Sequence, residues 1–475
     1  MSTGQARPFI GRNQEVDLLN RELDRSRPSL MVLYGRRRVG KSALLAHVTR
    51  TRRTIYYQAT EVLGSINLAL IKGEIARHLG EADPILGALE QWEGLLTYVA
   101  DAARVGGEPL TLVLDEFPYL CQTVEGLPSI VQKVFDRVTD QGVPLNLILC
   151  GSRISFMEEL LGERNPLRGR QTLELDLLPM PYREAAAFFP EWAPEDRLAA
   201  YGVFGGLPYY LQLCDPNRSL RRNILDVVLD PGGPLSNEAD NVLRAELSTP
   251  ARYATILQAV ATGCTTTGDI LGRAREISDA RALSPYIEKL QALRLVRSMR
   301  SMDAPPKARS QRFSLADPFL AFWFRFRLPS SSALAVGHAA HVYDHVIEPE
   351  LDAYLGEVLE WIGREYIQRY GMEILTSPAK EVGKIWGEDY DLDMAGTLLD
   401  GRVLFGECKW SRRKVGMSVL RDLTALTAKT TYGRGAADTH LMLLSRSGFT
   451  QELRRRAAET PSLHLLDPKG LLGEG

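Results

Sequence analysis

No stretch of this chain constrains its fold more than Gly35-Arg36-Arg37-Arg38-Val39-Gly40-Lys41-Ser42. It has the form G-x-x-x-x-G-K-[ST], with a short apolar run at 29–34 before it and a helically spaced run at 43–48 after it. A loop bounded by Gly35 and Gly40 between strand and helix turns its backbone N–H groups inward, and the helix N-terminus adds more. Such a loop wraps the phosphates of a nucleoside triphosphate. Lys41 then reaches the β- and γ-oxygens, and the Ser42 hydroxyl takes Mg²⁺.

The surrounding pattern agrees. Apolar runs at 30–34, 55–58, 110–114, 145–150 and 172–175 alternate with helical patterns, which predicts a parallel α/β sheet. At 475 residues the chain is long enough for two to four domains. The run at 110–114 ends in Asp115-Glu116. A buried parallel strand exposes its chemistry at the carboxyl end, where Asp115 joins the Mg²⁺ shell and Glu116 polarises the attacking water. Ser152, at the end of the next strand, is placed to sense the γ-phosphate. Arg170, in Pro166-Leu167-Arg168-Gly169-Arg170, is a finger candidate, since phosphoryl transfer needs charge neutralised on the γ-phosphate.

Net charge is −2, so any nucleic-acid surface has to be local. Five cysteines stand without pairing or metal spacing, which favours a reduced, cytoplasmic protein. The opening residues lack the apolar core of a signal peptide. No apolar stretch approaches the roughly 20 residues needed to span a bilayer, so no membrane partner is expected.

Phe9-Ile10-Gly11-Arg12 with Glu15, the phosphate loop, Asp115-Glu116, residues 166–170 and Gly205-Gly206-Leu207-Pro208-Tyr209-Tyr210-Leu211 together resemble the archaeal-type ATPase family. That family lies in the AAA+/STAND branch of P-loop NTPases, and the resemblance covers about the first 230 residues. It implies that Arg12 and its neighbours abut the nucleotide base, that Arg170 is the finger, and that 205–211 belong to a helical lid. AAA+-type contacts between copies are a further implication. Arg168 stands where relatives usually carry an aromatic residue, which leaves open which arginine meets the phosphate.

The pattern then turns helical, and Asp230-Pro231-Gly232-Gly233-Pro234 reads as a linker. Helical spacing at 253–261, Ser284-Pro285 as an N-cap with proline behind it, and two strands flanking a loop with Arg297, Arg300, Lys307, Arg309 and Arg312 describe a winged helix. Its basic wing either lies on DNA phosphates or is a solvated loop of an interdomain packing module. The aromatic stretch 316–326 is read as core, and His338, His341 and His345 as a solvated helix.

The last segment carries Asp391-Leu392-Asp393-Met394-Ala395-Gly396, a turn at Asp400-Gly401, and Glu407-Cys408-Lys409. On a strand Glu407 and Lys409 share one face. A two-residue loop would put Asp393 opposite Cys408. A three-residue loop 399–401, with Gly401 left-handed in a G1 bulge, puts it opposite Glu407 and is expected here. This D…E-x-K pattern resembles the PD-(D/E)XK nuclease family. The resemblance implies a mixed sheet with flanking helices, a divalent metal on Asp393, Glu407 and Glu360 (from a helix at 350–369), and Lys409 assisting the water. DNA, double-stranded, is its usual substrate.

The expected architecture is thus multi-domain α/β: a P-loop ATPase with helical lid over 1–235, a winged helix over 236–330 and a restriction-endonuclease-like domain over 331–475. The expected function is an ATPase coupled to DNA binding and Mg²⁺-dependent DNA cleavage. The alternative is a STAND-like switch whose last domain binds DNA or protein without cutting.

Overall fold

The structure, a computed structural model, describes residues 8–79, 84–305 and 310–474. The chain packs as two units, Met1–Met180 with Leu207–Tyr209, and Pro181–Gly206 with Tyr210–Gly475. Position 235 therefore lies inside the second unit. The expected linker before it is a packed turn: Leu235 is fully buried and its N–H donates to the Val227 carbonyl at 2.9 Å.

In the first unit the strands are β1 (Ser29–Tyr34), β2 (Thr54–Gln58), β3 (Leu110–Asp115), β4 (Leu145–Gly151) and β5 (Leu173–Asp176). They form a parallel sheet in the order β2-β3-β4-β1-β5 among the described residues. Strands β1, β3 and β4 are buried along their whole length, which is why they read as unbroken apolar runs rather than alternating ones. Helices α1 (Lys41–Thr49) and α2 (Leu127–Asp140) belong to this unit. Because every strand runs the same way, the ends of β1, β4 and β3 line up at one edge. That edge carries the phosphate loop, Ser152 and Asp115-Glu116 side by side.

The second unit contains α3 (Pro250–Ala261), α4 (Thr267–Arg273), α5 (Ala280–Ala292) and an antiparallel hairpin of β6 (Val296–Met299) and β7 (Arg312–Leu315). Helix α5 starts a turn earlier than Ser284-Pro285 suggested. The Asp279 carboxylate accepts from the Arg281 and Ala282 N–H groups and caps it, leaving Pro285 inside the helix. The aromatic stretch is core, with Phe319, Phe322, Trp323 and Phe324 all fully buried.

The carboxyl-terminal sheet is mixed, in the order β12-β11-β10-β9-β8, formed by β8 (Ala379–Trp386), β9 (Asp391–Leu398), β10 (Val403–Lys409), β11 (Thr439–Ser445) and β12 (Leu463–Leu466). Strands β8 to β10 pair antiparallel and β10 to β12 parallel. The long helix α6 (Glu348–Arg369) packs on it. Met394 fits between helix and sheet only because Gly363 and Gly406 lack side chains: a Cβ would stand 2.2 Å from its sulfur at Gly363 and 2.4 Å from its methyl at Gly406.

Two local features place the second site. The β9–β10 connection is the expected three-residue loop: Leu398 N–H donates to Arg402 O at 2.8 Å, Gly401 has φ 87°, and the register pairs Met394 with Gly406. One step further sets Asp393 opposite Glu407. Between β8 and β9 the register shifts after Gly383, so that Asp393 and Met394 together face Lys384. A bulge of this kind re-aims the side chain it carries. The carbonyl of Asp393 accepts from Arg364 of α6 at 2.7 Å.

Residues 300–305, after β6, do not stand out as a free wing. Met302 N–H donates to Lys384 O at 3.1 Å and Ser301 Oγ accepts from Trp386 N–H at 2.9 Å, covering the outer edge of β8. Arg297 lies 3.9 Å over the Trp361 ring, where burial pulls its guanidinium down to about 10. Arg312 stacks on Trp386 and pairs with Asp391 at 2.6 Å. Two of the arginines expected to meet DNA phosphates are therefore engaged within the unit, because the neighbouring sheet offers them aromatic faces and a carboxylate. Lys307 and Arg309 lie outside the described residues. His338, His341 and His345 are exposed, the last two with stacked rings 4.0 Å apart.

Candidate functional site

The phosphate loop is shaped by contacts that only its own residues permit. Gly35 has φ 155°, and a Cβ there would stand 2.3 Å from the Leu177 carbonyl oxygen. Gly40 has φ 96°, a region that favours glycine. Lys41 is buried, and its ammonium donates to the carbonyls of Gly35 at 2.9 Å and Arg36 at 3.1 Å, which holds it inside the loop. Burial lowers its pKa, so the site gains from an anion beside it. Arg12 is 2% exposed and donates to the Val39 carbonyl at 3.0 Å, while Phe9 stacks on His47 of α1 with ring centroids 4.2 Å apart. The amino-terminal motif thus braces the loop from behind.

Beside the loop, Ser42 Oγ donates to Asp115 Oδ2 at 2.7 Å, bringing the two expected Mg²⁺ ligands together. Glu116 sits in the left-handed region at φ 54°, an uncommon conformation for a side chain of this kind. Its carboxylate is held by Ser152, whose Oγ donates at 2.5 Å and whose N–H donates at 3.3 Å. Tyr56 of β2, which the sequence did not single out, donates to the same Asp115 oxygen at 2.6 Å. Its sequence signal was no more than a hydroxyl on the strand beside β3.

Arg170 is placed elsewhere. It precedes β5, which runs parallel to β1, so it lies at the amino-terminal edge of the sheet, about 20 Å from the phosphate loop across a six-residue strand. Its guanidinium forms a two-point pair with Asp136 of α2, at 2.7 and 3.0 Å. Arg168 pairs with Glu163. Both therefore stand toward the edge of the sheet away from their own chain's loop, because a residue before a parallel strand opens on the opposite edge.

In the second unit, Asp393 Oδ2 accepts from Cys408 N–H at 2.9 Å, and Lys409 donates to Glu407 Oε1 at 2.6 Å. Burial, with Glu360 and Glu407 nearby, pushes the Asp393 carboxyl up to about 7. Burial pulls the Lys409 ammonium down, but its bond to Glu407 and the charges of Glu407 and Asp393 carry it above its ordinary value. The structure therefore gathers Glu360, Asp393, Glu407 and Lys409, drawn from α6, β9 and β10, into one cluster. What the sequence missed is the cation among them: Lys384 of β8 lies 3.0 Å from Glu360, 3.0 Å from Asp391 and 3.7 Å from Asp393. Nothing local in its strand distinguished it.

These donors fit a hard divalent cation. All are carboxylate oxygens, and Glu407 Oε2 is buried without a hydrogen-bond partner. As they stand, however, the carboxylates are turned to ammonium and guanidinium groups. Among the described residues no three His, Cys, Asp or Glu side chains are drawn together to hold a metal ion. Among those residues, too, no helix is long and apolar enough to cross a membrane.

Comparison with known proteins covers both units. Residues 9–214 match the family described as an ATPase domain predominantly from Archaea, and residues 323–419 match one described as archaeal and bacterial proteins of unknown function. An uncharacterized protein of Methanocaldococcus jannaschii is 30% identical over 421 residues, 86% of this chain and 88% of that one. A Walker-type ATPase of Pyrococcus abyssi has a similar fold, with a TM-score of 0.51 at 19% identity over 67% of this chain and 99% of that one. With a relative that similar along most of both sequences, and with the domain match lying over the residues that build the phosphate loop, the chain belongs to the archaeal ATPase family.

Proposed function

We propose that this protein hydrolyses ATP and uses the nucleotide cycle to govern a Mg²⁺-dependent DNA-cleaving site in its carboxyl-terminal domain, of PD-(D/E)XK type. In the first site Gly35, Gly40 and Lys41 hold the phosphates, Ser42 and Asp115 the Mg²⁺, and Arg12 supports the loop beside the base. Glu116 is the base for the attacking water. Ser152 holds that carboxylate now, and its hydroxyl turns to the γ-phosphate when nucleotide is bound. Arg170 serves a nucleotide only on a neighbouring copy, which makes a homo-oligomer with AAA+-type contacts part of this reading.

The observation that carries the second half is the placement of Asp393 opposite Glu407 by the three-residue loop, with Lys409 two residues on along the same face. Asp393, Glu407 and Glu360 would hold the metal, which supplies a polarised phosphate and an activated water. Lys409 orients that water. The helices α3 to α5 with the β6–β7 hairpin act as a winged helix toward double-stranded DNA. Incubating the purified chain with supercoiled plasmid and Mg²⁺ or Mn²⁺, with and without ATP, tests this. Metal-dependent nicking that disappears in Asp393→Ala is expected, and cleavage that survives the substitution sinks the site.

A second reading is favoured by one observation, the engagement of Arg297 and Arg312 within the unit. In it the carboxyl-terminal domain binds DNA or protein without cleavage, and ATP acts as a switch. Plasmid retention without nicking would select it.

A further inference from the structure

The carboxylate cluster of the second unit carries its own cation. Lys384 stands at the bulge where β8 faces Asp393 and Met394, and its ammonium is within 3.0 Å of Glu360 and Asp391 and 3.7 Å of Asp393. It is 18% exposed. Its ammonium is therefore held by three acids at once.

Charge balance defines what this does. Glu360, Asp391, Asp393 and Glu407 are matched by Lys384, Arg364, Lys409 and Arg312, each within ion-pair distance of at least one of the four acids. A divalent cation entering between Glu360 and Asp393 meets that ammonium at close range, where like charges repel strongly in a desolvated setting. Arg364 also holds the Asp393 carbonyl, Arg312 is stacked on Trp386, and Lys409 lies on the same strand as its acid. The Lys384 ammonium, by contrast, is held by acids of the cluster. The side chain is long and unbranched, and its ammonium approaches the carboxylates of both Glu360 and Asp393, two of the three expected metal ligands.

We infer that Lys384 is a gating residue, an internal cation that occupies the place of the divalent metal and has to leave before the metal enters. The inference rests on the metal-site reading above. The lysine keeps the carboxylates assembled while no metal is present, and it sets the concentration at which metal enters.

The test uses the full chain without nucleotide, titrated with Mn²⁺ and followed by electron paramagnetic resonance. Lys384→Met is expected to bind Mn²⁺ at least tenfold more tightly than the unaltered chain, Lys384→Arg to stay within about threefold of it, and Asp393→Asn to lose the site. Equal affinity in Lys384→Met and the unaltered chain overturns the gating role alone. Failure of any Mn²⁺ site to depend on Asp393 overturns the metal-site reading, and the gate with it. A measurement that needs no variant covers the case in which Lys384→Met does not fold. Acetylation of Lys384 in the unaltered chain, read by mass spectrometry, is expected to speed up severalfold when Mn²⁺ is added. An unchanged rate overturns the gate.

Discussion

The two acidic strand ends of this protein are solved in opposite ways. At the end of β3, Asp115 and Glu116 are held by neutral hydroxyls: Ser42 and Tyr56 on one, Ser152 on the other. Around β9 and β10, Asp393, Glu407 and Glu360 are held by charged groups, Lys384, Lys409 and Arg364. A hydroxyl turns aside at small cost and accepts a cation as readily as it donates to a carboxylate. An ammonium has to be displaced. The carboxylates of the first site therefore yield readily to an entering cation, whereas those of the second already face one.

Substitutions break this comparison at different depths. Lys41→Ala removes the cation that serves the phosphates, and ATP hydrolysis, measured as phosphate release, is expected to fall on the order of a thousandfold. Asp393→Ala is expected to abolish metal-dependent plasmid cleavage by a similar factor while phosphate release stays within about twofold. Loss of both activities together would mean that the two sites are not separable as drawn.

The next effect concerns the helix that supports the second site. Burial pushes Glu365 of α6 up to about 7 from an ordinary value of 4.5, against the lowering pull of Arg369. The folded chain thus holds a proton that the unfolded chain releases. The resulting stability is fully present below about pH 4.5 and is lost as pH rises through about 7, amounting to about 3 kcal/mol. Urea midpoints measured across that range should decline with pH in the unaltered chain and decline less in Glu365→Gln.

Smaller effects test the hydroxyl side. Tyr56→Phe removes one of two donors to Asp115 and is expected to slow phosphate release about fivefold, as a hydrogen bond worth about 1 kcal/mol implies. If the rate is unchanged, Ser42 alone positions the carboxylate. Arg170→Ala, at concentrations where the chain is monomeric by light scattering, is expected to leave hydrolysis within about twofold. A large loss there would place the arginine in its own chain's site and contradict its position before β5.

Legibility followed the range of the interactions. The five strands of the first sheet, the phosphate loop and the Ser42–Asp115 pairing were readable, because continuous apolar runs and a glycine-bounded loop declare themselves over a few residues. The opposition of Asp393 and Glu407 was readable for the same reason, since Gly401 sets the loop and the loop sets the register. Whether Arg170 serves its own loop or a neighbour's was not readable, because its motif says nothing about which edge of the sheet it opens on. The wing was read as a surface, because Arg297 and Arg312 find Trp361, Trp386 and Asp391 only in the folded unit.

By itself, then, the sequence determined a nucleotide-binding α/β sheet and a hairpin that places an acid opposite E-x-K. Those features depend on backbone torsions and near neighbours, which a short stretch of chain carries with it. Tertiary structure alone decided that Lys384, from another strand, stands among the acids and that hydroxyls, not cations, hold Asp115 and Glu116. Such partners are chosen by burial and charge balance between segments far apart along the chain, and no local pattern encodes them.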